Sequence, residues 1–195
     1  MGSMLRLSLL LVIVSLGLAI PAQAQKQKAV EKTVVDYFLA VPAAQFAGDI
    51  PDNPLERMKP AKDDDKKTVV VQDIRSRYLK LSYRVVEVEV KLFTARVGVV
   101  IGVAITGCCC EGTCDRRLTF LSIQNGQYSD ITKEVWPGID RNKLIKTLKA
   151  RFIYDADTMV DMATYKFSRR GNTVTFMAGT LPIRFRWNKQ KFVRF

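Results

Sequence analysis

The sequence predicts an α+β fold: an N-terminal helix packed on a large antiparallel β-sheet, a second short helix and a C-terminal β-meander. Three observations predict it. Apolar residues recur at helical spacing in two stretches, Ala29–Ala40 and the segment that follows Asp140. Short β-branched or alternating runs fill most of the remainder. Turn signals at Asn125-Gly126, Pro137-Gly138 and Arg170-Gly171-Asn172 separate those runs.

Residues 1–24 read as a secretory signal. Arg6 supplies the positive end, the 14 residues Leu7–Ile20 form an apolar run, and Ala22 and Ala24 are small residues suited to cleavage. The run is shorter than the roughly 20 residues that span a bilayer, so cleavage after Ala24 is expected rather than anchoring. No cysteine follows it, which disfavours a lipid-anchored N-terminus. Residues 25–195 are then expected to form a single domain with a sizeable core. No transmembrane span is expected after cleavage, because the later run Val97–Gly107 is short and β-branched and reads as a buried strand.

Each element follows from its residues. In the first helix Val30, Val34, Tyr37, Phe38 and Val41 fall near helical spacing, and Pro42 ends it. Residues 48–67 are a polar loop with three prolines; its Asp63-Asp64-Asp65 run lacks the alternation and turn glycine of a calcium loop. TVVVQDI is a short strand. In the next segment Val86, Val88, Val90 and Leu92 alternate with Glu87, Glu89, Lys91 and Phe93, the pattern of a half-exposed strand. VGVVIGVAIT and RRLTFLSI flank the cysteines as a hairpin. Asp140 is a candidate N-cap for the second helix, with Leu144, Ile145 and Leu148 on one face. MATYKFSRRGNTVTFMAG and LPIRFRWNKQKFVRF each read as a pair of strands.

All four cysteines, Cys108, Cys109, Cys110 and Cys114, lie within seven residues. If Glu111-Gly112 is a two-residue turn, Cys109 faces Cys114, Ile105 faces Leu118 and Val103 faces Phe120. A non-hydrogen-bonded pair has its Cα atoms about 4.5 Å apart, a distance a disulfide spans. Cys109 with Cys114 is therefore the leading bridge, with Cys108 and Cys110 free or paired with each other; a looser turn permits Cys110 with Cys114. The alternative is a metal or redox centre built from all four. A structural zinc site draws its pairs from separate segments, which disfavours zinc and leaves a Cu(I)-type thiolate site as the metal alternative.

Histidine is absent, which excludes Ser-His-Asp and Cys-His nucleophile systems. No carboxylate pair is recognisable, no cofactor is expected, and a non-enzymatic role is favoured. The charge is uneven: residues 25–140 carry 17 Lys and Arg against 16 Asp and Glu, and residues 141–195 carry 13 against three. The candidate anion-binding residues are Arg169, Arg170, Arg184, Arg186, Lys189, Lys191 and Arg194. The competing explanation is ordinary strand alternation, with Ile183, Phe185 and Trp187 inward and Arg184 and Arg186 in solvent. Export disfavours nucleic acid and points to an anionic envelope polymer, a lipid surface or an acidic protein as partner. The expectation is an exported binding domain, periplasmic or extracellular, with a thiol-based metal or redox protein as the alternative.

Overall fold

The computed structural model describes residues 32–46, 57–58, 67–83, 86–108, 114–151 and 155–195. The signal segment, the first residues of the expected N-terminal helix, most of the polar loop, and Cys109 and Cys110 lie outside the described residues.

The first helix, α1 (Val34–Ala40), begins at a capping box. The Thr33 hydroxyl accepts from the Asp36 backbone N–H, and the Asp36 carboxylate accepts from the Thr33 N–H. Its buried Val34 and Phe38 are four residues apart and so share a face. The buried Arg57 guanidinium closes the other end, donating to the carbonyls of Phe38 and Val41 at 3.0 and 2.7 Å. A cation suits the carbonyl end of a helix.

Six strands follow in a meander: β1 (Lys67–Asp73), β2 (Tyr78–Tyr83), β3 (Val86–Thr94), β4 (Val99–Cys108), β5 (Cys114–Gln124) and β6 (Gln127–Asp130). They pair antiparallel in chain order. Asn125 and Gly126 both have positive φ, as a type I′ turn between β5 and β6 requires. After β6 come α2 (Thr132–Val135), α3 (Arg141–Lys149) and α4 (Ala156–Asp161). Asp140 caps α3, its carboxylate accepting from the Lys143 N–H at 2.9 Å, and Leu144 and Leu148 are buried. A second sheet follows, of β7 (Thr164–Phe167), β8 (Thr173–Ala178), β9 (Leu181–Trp187) and β10 (Phe192–Arg194), ordered β10-β9-β8-β7.

This arrangement overturns the α+β expectation. The described residues are mostly β: ten strands in two antiparallel sheets, against four α-helices of nine residues or fewer and one 3₁₀ turn. The expected helix does pack on the six-stranded sheet, but it covers one face only. Leu79, Leu81, Val88, Val90, Ile101, Val103 and Leu121 meet Val34 and Phe38 there. The other face carries Tyr78, Phe93, Val100, Ala104 and Phe120, and the second sheet covers it with Phe167, Val174, Phe176, Phe185 and Trp187. The C-terminal strands are therefore a separate layer rather than a continuation of one large sheet.

Two local expectations change for the same reason. β3 is not half-exposed: six of its nine positions in a row, from Val88 to Phe93, are buried, because both of its faces are covered. The β4–β5 register is shifted by one residue from the expected one: Ala104 faces Leu118 and Gly102 faces Phe120. A one-residue slip exchanges the faces of a strand. Leu121 and Ile123 accordingly join the α1 side with Ile101 and Val103, and Phe120 and Leu118 turn toward the second sheet. Val97 belongs to neither face; it is exposed in the bend between β3 and β4.

Candidate functional site

Two of the three charged residues of β3, Glu89 and Lys91, are inside the molecule, while Glu87 is exposed. Paired positions share a face, so Glu89 lies beside Lys80 on β2, and Lys91 lies beside Tyr78. β4 places its small residues next to them, Ala104 beside Glu89 and Gly102 beside Lys91. Space then remains for β7 to approach. The Glu89 carboxylate accepts the Phe167 backbone N–H at 2.8 Å, across the gap between the sheets. The Lys91 ammonium donates to the Ser76 carbonyl and, at 3.0 Å, to the Arg169 carbonyl. Burial pushes the Glu89 carboxyl up from its ordinary value, opposed by the Phe167 N–H and Lys80. Burial pushes Lys91 down and, with the neighbouring Glu89, pushes Tyr78 up. A small cavity of about 130 Å³ adjoins this cluster, lined in part by Glu87, Glu89, Thr106 and Lys166. The cluster's polar atoms are met largely by main-chain groups, so it ties the two sheets together.

Sequence reasoning missed this cluster because its alternation has the form of a solvated face. The signal was Phe93, an aromatic in phase with Glu87, Glu89 and Lys91. A phenylalanine on that face implies a cover.

The seven expected anion-binding residues do not converge. Arg169 is occupied: its Nε donates to the Asp73 carboxylate at 2.7 Å. The Ser76 N–H and then Arg169 hold the Asp73 carboxyl down at about 2. Arg170 and Lys189 are exposed in turns, Lys189 with φ of 76°. Lys191 and Arg194 line a groove against α3.

Arg184 and Arg186 lie on the outer face of β9, alternating with the buried Ile183, Phe185 and Trp187. Their register partners on β8 are Thr175 and Thr173, and Thr175 in turn faces Lys166 on β7. Lys166, Arg184 and Arg186 thus share one uncovered sheet face, with two half-buried threonines between the strands. The Arg186 guanidinium stacks over the Phe195 ring at 4.6 Å.

The acids near this region are spent elsewhere. Asp155 caps α4 by accepting from the Thr158 N–H. Asp161 pairs with Arg141 at 2.9 Å, and Asp157 pairs with Lys149 at 3.3 Å. From Thr164 to Phe195 the chain has eight Lys and Arg and no Asp or Glu. The outer face therefore carries an excess of positive charge, with Glu87 near Lys166 at its β7 edge.

Of the cysteines, the backbone register places Cys108 opposite Cys114. Cys109 had been expected in that position. Opposed Cα atoms in an antiparallel ladder are about 4.5 or 5.5 Å apart, and a disulfide fits either spacing. Cys109 and Cys110 lie outside the described residues, and with them half of the alternative four-thiolate metal set.

No protein-family model matches the chain. No curated protein matches it either. A solved structure, that of a domain of an uncharacterized protein from Porphyromonas gingivalis W83, is similar at 16% identity. The match covers 83% of this chain and 97% of that one, with a TM-score of 0.41.

Proposed function

We propose that this chain is an exported, non-enzymatic domain that binds an anionic envelope surface through the outer face of its four-stranded sheet. The observation that carries this reading is the uncovered face bearing Lys166, Arg184 and Arg186, in a segment with no acidic residue. Charges arrayed on a rigid sheet attract a polyanion from a distance and weaken as salt screens them. Strand alternation alone explains why these side chains point outward. It does not explain why all three are basic.

The test is retention on anionic vesicles and on an acidic polymer through a salt series. The wild type is expected to be retained at low salt and released as salt rises. The Lys166→Gln/Arg184→Gln/Arg186→Gln variant is expected to elute at clearly lower salt, and all three changes sit on exposed side chains. Equal retention of wild type and variant would sink the proposal, as would no retention of the wild type.

Export and bridging are tested together by intact mass and peptide mapping of the secreted protein. The expected species begins at Gln25 and carries a Cys108–Cys114 crosslink. A loop this short gives a bridge worth about 2 kcal/mol on the chain-entropy account. The Cys108→Ser/Cys114→Ser variant should therefore unfold at lower urea than the oxidised wild type and match the reduced one. A retained segment 1–24, or a map showing Cys109 joined to Cys114, would overturn the corresponding half of this expectation.

A further inference from the structure

The groove between α3 and the second sheet has a volume of about 490 Å³. That lies within the roughly 300–1,000 Å³ typical of small-molecule sites. Two kinds of residue line it. Ile139, Leu144, Leu181, Ile183, Phe185 and Phe192 supply an apolar lining. Lys143, Lys191 and Arg194, all exposed, supply the charge. The one carboxylate in the lining is Asp140, and it is engaged at the N-terminus of α3 by the Lys143 N–H. Among the described residues, no carboxylate pairs with Lys143, Lys191 or Arg194.

From this complementarity we infer that the groove binds a single-chain fatty carboxylate. Its hydrocarbon chain lies along the apolar lining, and its head is held by Lys143, Lys191 and Arg194. An apolar lining without these cations would suit a neutral hydrocarbon. The cations without the lining would suit any small anion. The two together select a molecule that is apolar along its length and negative at one end. This goes beyond surface binding: it is a distinct site, separate from Lys166, Arg184 and Arg186 on the outer face of the same sheet.

Dodecanoate, kept below its micellar concentration, is the probe, and titration calorimetry on the purified chain is the readout. Saturable one-to-one binding is expected. Acetate, which has the head without the chain, and dodecyltrimethylammonium, which has the chain with the opposite charge, are expected not to saturate. Lys191→Gln/Arg194→Gln should weaken dodecanoate about tenfold, the loss of charge-assisted hydrogen bonds.

Thr147→Trp should abolish binding by filling the groove. Thr147 is exposed, and its hydroxyl bonds only within its own helix, to the Lys143 carbonyl at 2.9 Å, so the fold does not depend on it. Arg184→Gln/Arg186→Gln should leave dodecanoate binding unchanged while weakening retention on anionic vesicles. Those two variant pairs separate the groove from the outer face, so either can fail alone. Absence of saturable binding would overturn the inference. So would unchanged binding in Thr147→Trp, or equal binding of dodecyltrimethylammonium.

Discussion

Replacing Phe93 by alanine is expected to destabilise the fold by about 4 kcal/mol, in the upper range for a buried aromatic truncated to a methyl group. Phe93 is fully buried and sits where the two sheets meet. Its ring lies edge-on to Phe167 at 5.7 Å, to Phe192 at 5.1 Å and to Phe120 at 6.1 Å, and tilted against Trp187 at 6.0 Å. These partners come from β5, β7, β9 and β10, so one side chain on β3 touches both sheets. Each such ring pair adds about 0.5–1.5 kcal/mol beyond area burial. The space for this cluster comes from Gly102. A Cβ added there would lie 2.8 Å from the Phe167 ring and 2.9 Å from the Phe93 ring. Gly102→Val alone is expected to cost about 1–3 kcal/mol by overpacking. Combined with Phe93→Ala it should cost less than the sum, because the alanine vacates the volume that the valine needs. Urea unfolding of the wild type, both single variants and the double variant checks this. Strict additivity would mean that Gly102 does not exist to admit the ring.

The local elements were largely legible in the sequence, and the layering was not. Thr33 and Asp36 start α1 by short-range hydrogen bonding, Asn125-Gly126 makes its turn through its own φ preferences, and Asp140 caps α3. Those are interactions over a few residues, which a single sequence displays. Which faces meet is a long-range matter. The alternation in β3 records two chemically different faces, and it was natural to assign the charged one to solvent. Glu89 and Lys91 are instead buried because β7 and the turn after it, nearly 80 residues later, cover them with the Phe167 N–H and the Arg169 carbonyl. The β4–β5 register failed similarly. Its two candidate pairings differ by one residue, each leaves a plausible apolar face, and only the cover on each side decides between them. At the candidate site, composition placed the excess charge in the C-terminal residues. It did not separate Arg169, which answers Asp73, from Arg184 and Arg186, which face outward, or from Lys191 and Arg194, which line the groove.

Glu89 separates a hydrogen-bonding role from a charge role. Glu89→Ala is expected to cost about 3 kcal/mol: it strands the Phe167 N–H inside the protein and leaves a gap between the sheets. Glu89→Gln should cost less than about 1 kcal/mol, because an amide oxygen still accepts that N–H and no charge needs solvation. The pH profile gives an independent sign. Burial raises the folded carboxyl above its ordinary value of 4.5, so the folded chain binds that proton more tightly than the unfolded chain does. Stability should then fall as pH rises from about 4.5 through the folded value, and level off above it. Asp73 acts in the opposite sense at lower pH. Its folded value of about 2 means that its contribution is present above the ordinary value of 3.8 and is lost as pH falls toward 2. Lys91, pushed down by burial, affects only the alkaline side, where stability should rise with pH below the ordinary value of 10.5. Urea midpoints for wild type and Glu89→Gln across pH 4 to about 8 should therefore diverge, with the decline present only in the wild type. Parallel profiles would show that Glu89 does not take up the proton. A Glu89→Gln variant as unstable as Glu89→Ala would show that the carboxylate charge, rather than its bond to β7, holds the sheets together.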